Sequence, residues 1–222
     1  MARDNHPRQR QARKIARKQG KRASADRILI VCEGSKTEVH YFDEIRKTLK
    51  LPTANIRAIH SAYGTSPHQV VNYARDLFKN GDIDSGIQPR AFEKVFAVFD
   101  RDSHERYFEA LNNAQEKNLR NDQNTTIEFK AIVSKPNFEL WLLLHYEDQR
   151  SWIERDVVLR KLKRYIPNYE KGQDGYFSST QELLNIATQR ASALSIDSTP
   201  WDEHRLYTDL HLVVDLLLKL KS

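Results

Sequence analysis

The sequence predicts an α/β fold: a parallel four-stranded sheet flanked by helices, with a helical region following it. Three observations carry this expectation. Between Arg27 and Tyr146, apolar runs alternate with amphipathic stretches four times, the pattern of successive strand and crossover helix. The runs Ile28-Leu-Ile-Val-Cys32 and Val95-Phe-Ala-Val-Phe99 contain no polar residue, as strands covered on both faces require. Beyond Glu147 the strand signal stops and helical spacing takes over.

The first strand is expected near Arg27 to Cys32, broken by Gly34-Ser35. Lys36 to Lys50 then reads as a helix with Val39, Phe42, Ile45 and Leu49 on one face, stopped by Pro52. Asn55 to Ala62 is the second strand. Ser66-Pro67-His68-Gln69 opens the next helix with a Ser cap, Pro at the first position and Gln three residues after the cap. Its inward face is Val70, Val71, Ala74, Leu77 and Phe78, and Asn80-Gly81 ends it. Lys94 to Phe99 is the third strand, and a helix from Ser103 to about Leu119 follows, with Tyr107, Phe108, Leu111 and Ala114 inward. Thr126 to Val133 is the fourth strand, followed by a helix from Lys135 to Tyr146. Further helices are expected over Ile153 to Tyr165, Thr180 to Leu194 and Tyr207 to Leu220, with Lys171-Gly-Gln-Asp-Gly175 as a loop.

A chain of 222 residues can bury a full core. No apolar run reaches the roughly 18 residues a membrane-spanning helix needs; Leu140-Trp-Leu-Leu-Leu144 stops at His145. The basic start of the chain lacks the apolar centre of a signal peptide, and the single cysteine, Cys32, has no partner for an internal disulfide, so a cytoplasmic location is expected. Within its apolar run Cys32 reads as a buried structural thiol.

Charge is distributed unevenly. Residues 1–27 carry ten Lys and Arg against two acids, a balance of +8, which taken from the total of +6 leaves −2 for the rest. A basic arm on a near-neutral body is the electrostatic footprint of a nucleic-acid binder. Its expected phosphate contacts are Arg8, Arg10, Arg13, Lys14, Arg17, Lys18, Lys21 and Arg22. Three parts follow: a basic arm over residues 1–26 that orders only on a partner, an α/β domain over 27–147, and a helical C-terminal region over 148–222 packed on it.

Parallel strands joined by crossover helices place their C-terminal ends on one edge, where ligands bind. Glu33 follows the first strand, Asp100 and Asp102 end the third, and Glu139 lies in the first turn after the fourth. Glu38, one turn into the first helix, reaches the same crevice. Carboxylates converging there suit a hard divalent metal, with one or two ions. Glu33-Gly-Ser-Lys-Thr37 hints at a phosphate loop, but the glycine before its lysine is absent, as is the partner glycine five residues earlier. One cysteine and no paired histidines at helical spacing speak against a closed zinc site. His104 and His145 stand near the crevice, either as helix-end residues or as aids to proton transfer.

Three ordered motifs, Ile28-Leu-Ile-Val-Cys-Glu-Gly-Ser-Lys-Thr-Glu38, Val98-Phe-Asp-Arg-Asp-Ser-His104 and Ser134-Lys-Pro-Asn-Phe-Glu-Leu-Trp-Leu-Leu-Leu-His-Tyr146, resemble the RloB-like family of bacterial proteins linked to restriction and abortive-infection loci. Their Glu-Gly and Asp-x-Asp signatures are similar to those of the Toprim fold, a Rossmann-like α/β arrangement. The resemblance implies that Glu33 is the general acid/base beside the metal, with Gly34 supporting it, and that Asp100 and Asp102 hold magnesium, with manganese as a substitute. The similar overcoming-lysogenization-defect nucleases imply that Glu38 and Glu139 join the metal-binding acids, as a two-metal cut would need, with Ser134 and His104 in support. Lys135 stands where a small polar residue is usual, either neutralising transition-state charge or lying on the surface. The function expected is magnesium-dependent hydrolysis of nucleic acid, RNA or transfer RNA ahead of DNA, by the effector of an anti-phage system. The alternative is a non-catalytic adaptor for nucleic acid or for an ATPase partner. An oligomer is compatible with either, and no membrane contact is expected.

Overall fold

The computed structural model describes residues 26–53, 56–101 and 106–220. Four parallel strands, β1 (Ile28–Cys32), β2 (Ile56–His60), β3 (Lys94–Asp100) and β4 (Glu128–Lys135), form the sheet, and a two-residue β5 (Tyr207–Thr208) pairs antiparallel with β4. The order is β2-β1-β3-β4-β5. Helices α1 (Thr37–Thr48), α2 (Pro67–Asn80), α3 (Tyr107–Asn113) and α4 (Glu139–Leu144) follow the four parallel strands in turn. The C-terminal region supplies α5 (Arg155–Tyr165), α6 (Tyr176–Thr180), a 3-10 turn at Gln181–Leu183, α7 (Leu184–Asp197) and α8 (Leu210–Lys219).

Alternation along the strands divides the core in two. Ile28, Ile30, Cys32, Phe96, Val98 and Ile132 face α1, α4 and the C-terminal helices, while Leu29, Val31, Val95, Ala97, Phe99 and Val133 face α2 and α3. With both faces covered, every residue of β1 is buried. Every residue of α4 is buried as well. A helix apolar on all sides has to be enclosed, and the enclosure comes from α5, α7 and α8, which share its cluster. Trp141 Nε1 donates to Tyr41 Oη at 2.8 Å, joining α4 to α1.

Four departures from the sequence expectation have local causes. The sheet has a fifth strand, and the last helix starts at Leu210, because Tyr207-Thr208 extends to pair with Ser134 and Lys135. The buried Asp209 carboxylate accepts the Val133 N–H at 2.6 Å there, satisfying an edge donor. β4 runs to Lys135, and α4 begins only at Glu139, because the proline at 136 excludes the residue before it from helical conformation. α3 ends at Asn113, where two consecutive asparagines have low helix propensity. The helix expected from Thr180 is split, with α6 preceding the 3-10 turn and α7 running to Asp197. Arg27 opens the body, as its place in the α/β domain requires: its guanidinium pairs with Glu93 at 2.6 Å and Asp122 at 2.7 Å. The capping box at Ser66 and Gln69 is formed. Among the described residues no helix is long and apolar enough to cross a membrane.

His145, at the end of α4, has a structural role. Its Nδ1–H donates to the Trp141 carbonyl at 3.0 Å, its Nε2 is buried without a partner, and burial lowers its pKa from 6.5 to about 4. A histidine that resists protonation when folded costs stability as acid protonates the unfolded chain, through the window from pH 6.5 down to about 4. His145→Leu should therefore lose less stability than the parent across that window, read by urea unfolding at stepped pH; parallel curves would show that His145 titrates normally.

Candidate active site

The strand order creates a switch point: the chain leaves β1 for β2 on one side and returns past it to β3 on the other. Glu33 and Asp100 flank that point. The Glu33 N–H continues the ladder to Val98 O at 2.9 Å, and its carboxylate accepts the Asp100 N–H at 2.8 Å. Asp100 shares the face of Phe96 and Val98 and so turns toward α1 and α4. These carboxylates, with Glu38 from α1 and Glu139 from α4, line a cavity of about 390 Å³. Gly34 leaves room at the wall for the Glu38 carboxylate, which would have to shift for any side chain placed there.

The acids are crowded and poorly solvated. Burial pushes Asp100 well above the usual carboxylate range, aided by Glu38, Glu33 and Glu139 and opposed by Arg155. Burial also raises Glu38, with Glu139 adding to the effect; its own backbone N–H and Lys171 oppose the rise. Glu139 is 2% exposed. Its Oε1 accepts Tyr169 Oη at 2.9 Å and pairs with Lys171 at 3.2 Å, while Oε2 has no hydrogen-bond partner. Asp100 pairs with Arg155 at 3.6 Å.

Tyr169, Lys171 and Arg155 all come from the C-terminal region, which therefore completes the site as well as covering the core. Sequence reasoning missed them because they lie outside the acidic motifs; the loop around Lys171 was legible, but nothing in its spacing pointed across the fold. Lys36, Thr65 and Gly172 also line the cavity.

The structure brings together Glu33, Gly34, Glu38, Asp100 and Glu139. Asp102, His104 and the arm cations Arg8, Arg10, Arg13, Lys14, Arg17, Lys18, Lys21 and Arg22 lie outside the described residues. Ser134 is buried beside the site, its hydroxyl 3.0 Å from that of Thr208. Lys135 is neither at the surface nor in the cavity. Strand alternation sends it to the opposite face, where Nζ donates to the carbonyls of Thr199 at 2.6 Å and Asp202 at 2.8 Å, and burial lowers its pKa to about 8. The catalytic part expected of Lys135 is thus replaced by one of anchoring the 199–202 loop.

Carboxylate oxygens are the donors a hard divalent cation prefers, and the unpartnered Glu139 Oε2 is a buried acceptor on that cavity. Among the described residues no group of three His, Cys, Asp or Glu side chains is arranged to hold an ion as it stands.

Fold and cavity define a class, a Rossmann-like α/β protein with an acidic pocket at its topological switch point. The comparison with protein families narrows it: the chain matches the family described as RloB-like protein over residues 28–217, most of its length, and it belongs to that family. The resemblance drawn from the three motifs is borne out. Comparison with curated proteins and with solved structures gave no match.

The raised Asp100 carboxyl makes a direct stability test. An acid whose pKa rises on folding opposes the native state once ionised, and that opposition fades as pH falls through the raised value. Without metal, Asp100→Asn should be more stable than the parent at pH 8. The gain should shrink toward pH 5. Denaturant melts at both values measure it, and an Asn variant equally or less stable at pH 8 would contradict the crowding described.

Proposed function

We propose that this protein is a magnesium-dependent nuclease that hydrolyses phosphodiesters of nucleic acid, RNA or transfer RNA ahead of DNA, as the effector of an anti-phage system. The observation that carries the reading is the cavity itself: four carboxylates from four segments at a sheet switch point, one with a buried oxygen that has no partner. Family membership supports it, and the basic arm supplies the charge that holds a polyanion. Asp100, Glu38 and Glu139 would hold the metal, with Asp102 following Asp100 by two residues. Bound there, magnesium or manganese supplies neutralisation of developing phosphoryl charge and a more acidic water. Glu33, held by the Asp100 N–H, is the carboxylate for proton transfer at the mouth of the cavity.

The rival reading is a non-catalytic adaptor that binds nucleic acid or an ATPase partner. It is favoured by the existing pairs of Asp100 with Arg155 and Glu139 with Lys171, which already neutralise part of the acidic charge.

Incubating the purified full chain with end-labelled RNA, transfer RNA and single- and double-stranded DNA separates the two. With magnesium or manganese a discrete cleavage pattern is expected, and Asp100→Asn, Glu139→Gln and Glu33→Gln should each slow it by at least about 10²-fold. Retained nucleic-acid binding without cleavage of any substrate, even with a partner ATPase present, would decide for the adaptor.

The arm has its own test. If about half of its cations engage phosphates of a single strand, removing residues 1–25 and keeping Arg27 should reduce the log-log salt slope of binding by roughly 3. An unchanged slope assigns the arm another task.

A further inference from the structure

The cavity holds cations as well as acids, and their positions suggest an order of binding. Among the described residues, Glu33, Glu38, Asp100 and Glu139 are met on its walls by Lys36, Arg155 and Lys171. Acids without a metal disfavour a phosphate there, and a dication entering among them adds two positive charges that favour it.

The partners of the acids differ in how readily they can be displaced. Glu139 is buried, but the Lys171 side chain that pairs with it at 3.2 Å is 57% exposed. Lys171 sits on a loop whose backbone is pinned, since the Gly172 N–H donates to Thr37 Oγ1 at 2.8 Å. Only the flexible lysine stem has to move for the ammonium to leave the carboxylate, and the pinned loop keeps it at the cavity mouth. A hard dication outcompetes a single ammonium for buried carboxylates, above all where Glu139 Oε2 has no partner.

We propose that Lys171, with Arg155, is an internal counter-ion for the acids in the metal-free protein and becomes the clamp for a substrate phosphate once a divalent cation has entered. The inference rests on the reading of the cavity as a metal-dependent nucleic-acid site. It makes metal binding precede phosphate binding, and it makes the two reciprocal, each strengthening the other by the same factor. Lys171 is then a specificity residue for strands with a phosphate at the cavity mouth, and a competitor of the metal until one arrives.

Calcium, which takes oxygen ligands, serves as the test ion, and a fluorescein-labelled eight-nucleotide single-stranded RNA as the phosphate probe, both with the full chain at fixed ionic strength. Thermal shift gives the calcium midpoint and anisotropy gives RNA affinity with calcium or with chelator. In the parent, calcium should tighten RNA binding at least about fivefold, within the usual range of coupling between sites. Lys171→Met, which keeps the stem, should lower the calcium midpoint several-fold and cut the calcium-dependent gain in RNA affinity to below about twofold; Lys171→Arg should restore both. If Lys171→Met leaves the midpoint and the gain as in the parent, or weakens calcium binding, the counter-ion inference is overturned while the metal site stands. If neither calcium nor manganese shifts the parent's melting, the metal reading falls and this inference with it.

Discussion

The parallel pairing of β1 with β3 is the constraint on which the site depends. It places Cys32 opposite Val98, so the next residue on one strand and the last residue on the other meet at the same sheet edge. The Glu33 N–H extends that ladder, and the Asp100 N–H answers by donating to the Glu33 carboxylate. Two acids are thereby fixed by main-chain hydrogen bonds rather than by side-chain packing. Such anchoring tolerates the repulsion that like charges generate in a poorly solvated pocket. Slipping the pairing by one residue would turn Asp100 to the opposite face, toward α3.

The C-terminal helices answer a second constraint. After Glu139, α4 is apolar throughout, so the α/β unit alone would expose a helix with almost no polar surface. Covering it with α5, α7 and α8 brings Arg155 and the Tyr169 to Gly172 loop over the cavity. Burial of an apolar helix and completion of a charged pocket are therefore consequences of one docking event.

The elements most legible in the sequence were those with strong local signals. β1 and the Val95–Phe99 stretch of β3 are uninterrupted apolar runs, and the Ser66 to Gln69 cap marks its helix start unambiguously. The acids of the cavity were legible because topology alone sends strand ends to one edge. What was not legible depends on contacts distant in sequence. β5 is two residues long and exists because β4 offers an unpaired edge. Lys135 follows the buried strand face rather than the motif it neighbours, and only the position of the 199–202 loop reveals that its ammonium is already used. Arg155 and Lys171 could not be assigned from the sequence, since the pairs they make span 55 and 32 residues.

A buried carboxylate oxygen with no partner, beside three further acids, is an arrangement that a cation resolves. The central claim is therefore about an ion and its place. Diffraction from crystals of the full chain grown with manganese, recorded at the manganese absorption edge, would locate it. The account requires an anomalous peak in the cavity within about 2.0–2.6 Å of carboxylate oxygens of Asp100 and Glu139, the span over which hard dications bind oxygen. A cavity without a peak at saturating manganese, with Lys171 and Arg155 still paired to the acids, would contradict it.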